Sequence, residues 1–557
     1  MLNGLNIRKN MFGKIITQLL IALAFALSQA SGQNAPEVNL SVEPTWLTMR
    51  DSAQVATYLF AADSTQPKPT ILLRTPNGLQ EFEHEIGQFI QHQYSVVVQL
   101  TKRHIQDSSQ TKQSGWMHPT DGYDTIEWIA AQPWSNGKIG MFGRGISSFT
   151  QILAAGSEPP HLTAQYLIAT PFNFHDELVF PGGSFRKPLA EKIKFPQQPE
   201  DSVAVLDRHY TYDDFWLQFN ALQYIENIEV PMAFVSGWYD AYAKGTIRAF
   251  QAVRRFAGKA AKSSARLRIG PWTDNQDGIG QRRQGEFIFP ENASFDIVDD
   301  AIAWFDRWLK GENVNLVIEP PVHYYLMSAV DDAYSSGNIW QQSGNWPPEN
   351  QAVKYFLKKD GGLGSENDEK GTAEGYRYDP ENPVPTRGGA NVHLEAGPMD
   401  QQGIEERSDV LLFTSPPLIG PLTIAGKLTV RLYVTSTAYD TDFTAKLTDV
   451  YPDGRSILIA DGIVRTRLRG SPRFEKLITP DKVYGLEIDL GHIAYQFSSG
   501  HRIRLAISSS NSPRFEPNPN APFSFHKHKR SFVAVNTVYY GGSKASFLRL
   551  PVIALPK

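Results

Sequence analysis

The stretch "KIGMFGRGISSFTQILAAG" (residues 138–156) reads as a strand, a sharp turn and a helix. A turn of this kind presents a catalytic nucleophile, because its apex side chain stands clear of both flanking elements. The centre is Gly143-Arg144-Gly145-Ile146-Ser147-Ser148, and the apex residue is Gly145, which has no side chain to offer. Ser147 and Ser148 follow at the start of the helix, where serines are expected to cap backbone N–H groups. Other polar candidates stand in short motifs: Asn77 in "RTPNG", Asp240 in "GWYDAY" and Asp274 in "GPWTDN". "HKHKR" (526–530) alternates His and Lys, but no carboxylate or third histidine follows at ligand spacing, so a solvated loop is expected there and no metal site. "KRH" (102–104) is expected on a surface loop. The chain has no P-loop, no dinucleotide fingerprint and no H-E-x-x-H, and so carries no cofactor signal.

The elements that must position these residues follow from composition and pattern. At 557 residues the chain exceeds one ordinary core, and three domains are expected. Hydrophobic content of 41% and charged content of 20% are those of a globular protein. A net charge of -4 gives no reason to expect nucleic acid or anionic lipid as a partner. With no cysteine, disulfides, thiol nucleophiles and zinc-thiolate sites are all excluded. Arg8, Lys9 and Lys14 precede the apolar run "IITQLLIALAFAL" (15–27) and the small residues of "SQASGQ" (28–33). This predicts a signal peptide over 1–32 and an exported bacterial protein, periplasmic or secreted. The run is too short to favour a spanning helix, so no membrane association is expected beyond the signal.

From about residue 53, strand-like and helix-like segments alternate: "VATYLFAA", "KPTILLRTPNG", "YSVVVQL", the helix "DGYDTIEWIAAQPW", then "KIGMF" and its following helix. Such alternation predicts a doubly wound α/β sheet over 33–171. Residues 172–228 break it with a Pro/Gly-rich and then aromatic helical stretch, expected as a cap insertion. "VPMAFVSGWYDAY", "KGTIRAFQAVRRFA", "ARLRIGPW" and "DDAIAWFDRWLKGE" resume it over 229–314. From about residue 315 apolar and polar residues alternate in "KLTVRLYVTST", "VYGLEIDLG" and "HRIRLAISSS", which predicts an all-β jelly roll over 315–557. "GGLGSENDEKGTAEG" (361–375) is expected as a solvated loop, and "YPDGR" (451–455) as a turn between paired strands.

These motifs together resemble the α/β-hydrolase family of bacterial cocaine esterase, α-amino-acid ester hydrolases and X-prolyl dipeptidyl aminopeptidases. The resemblance rests on "RTPNG", "DGYDTIEWIAAQPWSNGKIGMFG" (121–143), "YDDFW" (212–216), "GWYDAY" and "GPW", and on "DTDFTAKLTDVYPDGR" (440–455) and "GHRIRLAISSSNSPRF" (500–515), all in the family's order. It implies a serine ester or amide hydrolase acting on small acyl compounds or N-terminal dipeptides. In the family the elbow reads G-x-S-Y-x-G, an R-T-P-Y tyrosine and the N–H after the serine form the oxyanion hole, G-W-Y-D gives the acid and G-P-W-[ST]-H the histidine. On that pattern Gly145 stands at the nucleophile, Ile146 supplies the oxyanion N–H, Asn77 replaces the tyrosine, Asp240 is the retained acid and Asp274 replaces the histidine.

A serine attacks only when an imidazole takes its proton and donors receive the new oxyanion. The resemblance therefore implies coordinated loss of the serine machinery. Glycine relieves strain at the apex, and Ser147 is the alternative nucleophile. A carboxylate cannot replace the imidazole as a base at its ordinary pKa near 4. Two readings of Asp274 stand: a pair with Asp240 that activates water or holds a cation, or a side chain turned to solvent or to an arginine such as Arg282. Asp240 itself could simply cap a loop, and the Asn77 amide could still donate to an oxyanion. Trp238, Tyr239 and Trp272 are expected as core or pocket lining, suited to a small acyl or peptide ligand.

Overall fold

The computed structural model describes residues 39–60, 65–104, 118–192, 202–274, 278–312, 320–332, 335–523 and 530–554. The expected signal peptide and most of "HKHKR" lie outside the described residues. No helix among the described residues is long and apolar enough to cross a membrane.

The first sheet begins with β1 (Thr45–Thr48) and β2 (Gln54–Phe60), paired antiparallel. It continues with β3 (Lys68–Thr75), β4 (Ser95–His104), β5 (Ser135–Arg144), β6 (Leu162–Ile168), β7 (Met232–Tyr239) and β8 (Arg266–Thr273). β2 meets β4 antiparallel, and the order 4-3-5-6-7-8 is parallel throughout. The strands read as apolar runs because helices cover both faces: every residue of β7 is buried. The covering helices are Glu83–Gln91, Pro119–Ala130, Ile146–Ala155, Ala243–Phe256 and Ile297–Phe305. Pro119 opens its helix where no N–H is needed. Asp296 caps another by accepting from the N–H groups of Val298 and Asp299. Ala243–Phe256 buries Ile247, Phe250 and Val253 along one stripe.

Three expectations need correction here. β4 runs on through His104, and in "KRH" Arg103 is buried, ion-paired with Asp121 at 3.1 Å and with Asp51. The sheet also does not end at residue 314. After a small hairpin of β9 (Arg283–Gln284) and β10 (Phe287–Ile288), β11 (Val322–Ser328) adds parallel to β8, and β12 (Ile339–Ser343) antiparallel to β11. The change to strand texture at 315 marks the edge of the α/β sheet and not the start of the second one, because alternation alone does not say which sheet a strand joins.

The β domain has β13 (Gln351–Leu357), β14 (Leu363–Gly364), β15 (Thr372–Tyr378), β16 (Leu411–Thr414), β17 (Leu422–Ser436), β18 (Asp442–Val450), β19 (Ser456–Arg465), β20 (Tyr484–Phe497), β21 (Arg502–Ser508), β22 (Ala534–Tyr540) and β23 (Phe547–Val552). One layer is antiparallel 16-21-18-19. The other is built on β17, with β20 on one edge and β22 and β23 on the other. "YPDGR" turns β18 into β19, with the Tyr451 N–H donating to Arg455 O at 2.8 Å. The third correction is in 361–375: β14 and the start of β15 run through the expected loop, Thr372 pairing with Tyr540. The domains are joined by backbone, since Met327 of β11 pairs parallel with Tyr495 of β20. Within 172–228, helical turns at Phe174–Val179, Lys187–Ala190, Ser202–Arg208, Asp214–Phe219 and Ala221–Asn227 form the cap.

Candidate functional site

Parallel strands leave their C-terminal ends on one edge, and the candidate residues sit there. β5 ends at Arg144, Gly145 turns, and the helix starts at Ile146. Gly145 holds φ 55° and ψ -123°, a conformation that side-chain-bearing residues rarely adopt. Its N–H donates to Ile168 O at 2.9 Å, and its carbonyl accepts from the Ser148 N–H at 3.1 Å. The turn is therefore a fully formed nucleophile elbow. A Cβ added at Gly145 meets no atom within 4 Å, so space for the missing side chain is open. Gly143 differs: its Cβ would lie 3.0 Å from the Cβ of Ser147, so glycine there permits close approach of strand and helix. Ile146 is the first helical residue, and first-turn N–H groups have no acceptor within the helix.

Neither serine caps the helix. Ser148 Oγ donates to the carbonyls of Gly145 (2.7 Å) and Ile168 (3.2 Å). Ser147 is buried, packed back against Gly143, and its Oγ has no hydrogen-bond partner among the described residues. No base reaches it. Asn77 is exposed, with its amide donating to a carboxylate oxygen of Glu81 at 3.3 Å. Burial pushes the Glu81 carboxyl up, while Thr75, Arg144 and Asn77 act the other way.

The two aspartates come together through strand register. Tyr239 at the end of β7 pairs with Thr273 at the end of β8, so Asp240 and Asp274 are the next residues on adjacent strands. Asp240 is buried; it accepts from Ser236 Oγ at 2.5 Å and from the Tyr242 N–H at 2.7 Å. Burial pushes it up to about 6, against the pull of those hydrogen bonds and of Arg186. Asp274 is half-buried, and burial together with Asp240 pushes it well above the carboxylate range. The alternative partner Arg282 is engaged elsewhere, with Glu291 at 2.5 Å and Phe289 O at 2.9 Å. Nearby, Arg144 is ion-paired with Glu85 and is the cation that Asp274 feels. The result is a carboxyl pair next to an empty apex.

A cavity of about 320 Å³ is lined by Asp240 and lies between the α/β domain, the cap entry and the β domain. Trp238 and Tyr239 line it, as expected; their polar atoms are satisfied by Tyr325 O (2.7 Å) and Leu458 O (3.1 Å). Trp272 does not: it is core, stacked on Phe295, with Nε1 donating to Ala293 O at 3.0 Å. Gly237 explains why, since β7 and β8 close so tightly that its Cβ would lie 2.1 Å from Trp272 O. Arg186, also on the cavity wall, was not singled out from the sequence; it lies in a Pro/Gly-rich stretch without periodicity. Ser236, four residues before Asp240 in "SGWYD", could have been found as a hydroxyl at strand spacing from the acid.

The sequence model of the X-Pro dipeptidyl-peptidase (S15 family) matches residues 51–198 and 190–275. That of the X-Pro dipeptidyl-peptidase C-terminal non-catalytic domain matches 315–549. The chain belongs to the cocaine esterase and X-Pro dipeptidyl-peptidase family. It is 28% identical to the cocaine esterase of Rhodococcus sp. (strain MB1 Bresler) over 91% of this chain and 97% of that protein. Among solved structures, an aminopeptidase from a marine sediment Thaumarchaeota archaeon superposes with a TM-score of 0.78 at 22% identity, covering 94% of this chain and 99% of that one. An α-amino acid ester hydrolase gives 0.77 at 22%, covering 92% and 96%. These likenesses share the fold: an α/β-hydrolase sheet with a cap, followed by a β domain.

Proposed function

We propose that this chain is an exported family member that binds small acyl or peptide ligands and does not run the family's serine hydrolysis. The observation that carries the reading is the elbow, formed in full with glycine at its apex and open space above it. Two further features support it: Asp274 stands where the imidazole is needed, and the Asn77 amide is spent on Glu81, a carboxyl group unsuited to a site that must receive negative charge. The basic start and apolar run at the N-terminus support export.

The test is fluorophosphonate labelling and p-nitrophenyl ester turnover of the purified chain. Neither signal is expected, whereas labelling at Ser147 overturns the reading. Restoration probes the assignment itself: Asn77→Tyr, Gly145→Ser and Asp274→His together should create ester turnover, since Gly145 has room for a side chain. A folded triple variant that stays silent means that the pocket has diverged beyond the triad or that these are not the ancestral positions.

The carboxyl pair favours a second reading, water activation by Asp240 and Asp274. Both carboxyls are pushed up, so near pH 6 one can hold a proton while the other accepts one. This chemistry leaves the protein silent to the fluorophosphonate, yet gives ester turnover that Asp240→Asn abolishes.

A further inference from the structure

Asp240 and Asp274, adjacent at the ends of β7 and β8, do not have equal surroundings. Two carboxyl groups this close, both away from water, resist ionising together, so one of them keeps a proton. Asp240 is held as the anion. Ser236 Oγ donates to its Oδ2 at 2.5 Å, and the Tyr242 N–H donates to its Oδ1 at 2.7 Å. Each of these donors favours the carboxylate over the acid. Asp274 receives no hydrogen bond among the described residues.

Longer-range charges do not reverse this asymmetry. Arg186 of the cap favours the Asp240 anion and Arg144 of the elbow favours the Asp274 anion, so one arginine stands on each side. Arg144 is also shared with Glu85, its ion-pair partner, and with Glu81. The Tyr242 phenol feels both aspartates, and burial keeps it protonated. Asp274 is the more exposed member of the pair. The cation it feels, Arg144, immediately precedes Gly145, whose apex has free space within 4 Å of an added Cβ.

We infer that Asp274 carries the proton of the pair and that its O–H is the donor that holds the uncharged carbonyl oxygen of a ligand, with Asp240 as the anion that keeps the proton there. Asp274 is then a binding residue and Asp240 a positioning residue. The inference rests on the reading that the elbow site still takes an acyl or peptide ligand. A neutral acid beside a fixed anion suits an ester or amide carbonyl, which accepts a hydrogen bond without bringing charge. A free carboxylate would add a further negative charge beside Asp240.

Infrared titration of the full chain reads the proton through the carboxylic-acid C=O band. The double variant Asp240→Asn, Asp274→Asn supplies the baseline for every other carboxyl group, and asparagine keeps the shape of each side chain. Asp274, alone in Asp240→Asn, should lose its proton at a higher pH than Asp240, alone in Asp274→Asn. The parent should hold one proton to a higher pH than either. Ser236→Ala in the Asp274→Asn background should raise the Asp240 titration, whereas a hydroxyl that only packs would leave it unmoved. The reverse order, or both protons lost in the ordinary carboxylate range, overturns the inference. Calorimetry with phenylacetamide and phenylacetate at matched ionic strength reads the ligand. The amide should bind, and its binding should weaken as pH rises through the titration of the parent. Asp274→Asn, which keeps an N–H donor, should bind it without that pH dependence, and Asp274→Ala about tenfold more weakly than the parent. Phenylacetate bound as tightly as the amide, or pH-independent binding by the parent, also overturns the inference. If Asp274 titrates last and neither probe binds, the binding function fails and the donor role with it, while the place of the proton stands.

Discussion

At the residue scale, the aspartate pair governs how the site responds to pH. Asp240 and Asp274 are both raised in the folded state, so the native protein holds protons that the unfolded chain releases. The pair's contribution to folding stability is therefore complete below about pH 4 and is lost as pH rises through about 6. Asp274→Asn removes the repulsion on Asp240 without leaving a cavity. The variant should be more stable than the parent at about pH 8, by roughly 1 kcal/mol, and equal to it at about pH 4. Urea unfolding at the two pH values measures this. A variant that is less stable at the higher pH would show that the Asp274 carboxylate has a favourable partner.

At the element scale, glycines mark where strands meet turns and each other, and two of them separate strain from collision. Gly145 needs its positive φ but has free space, so Gly145→Ser should cost about 1 to 2 kcal/mol, all of it backbone strain. Gly237 has an ordinary φ but no space, with Trp272 O at 2.1 Å, so Gly237→Ala should cost about 3 kcal/mol or more by forcing β7 from β8. Denaturant midpoints of the two variants give the contrast, and equal losses would refute it. The elements themselves were legible where pattern and burial agree. β4 read as an apolar run, "KIGMF" in β5 as a strand and the segment after Gly145 as a helix, and each element lies over the residues that announced it. The elbow and both aspartates were legible through their motifs. Arg186 and Arg514 were not, because each is ordinary in its own segment and only the fold brings them to one cavity. For Trp272 the motif left core and pocket lining open, because it fixes a position in the chain and not the direction of a side chain.

At the scale of the whole molecule, the two domains are expected to unfold as one body. They share β11–β20 hydrogen bonds, and Asp489 on β20 ties Lys244 of the α/β domain to Lys427 of β17. Burial alone would raise the Asp489 carboxyl, but the two lysines outweigh it and hold it down to about 2. A lowered acid contributes stability above its unfolded pKa and loses it as pH falls, here from about 4 down through about 2. Asp489→Asn should therefore cost about 1 kcal/mol at neutral pH, a figure reduced for its one-third exposure to solvent, and nothing below about pH 2. Scanning calorimetry of the parent should give a single transition at neutral pH. On acidification the domain junction should loosen first, splitting the endotherm in two, and Asp489→Asn should show that splitting at a higher pH than the parent. Two transitions in the parent at neutral pH would mean that the shared strand and this triad do not couple the domains.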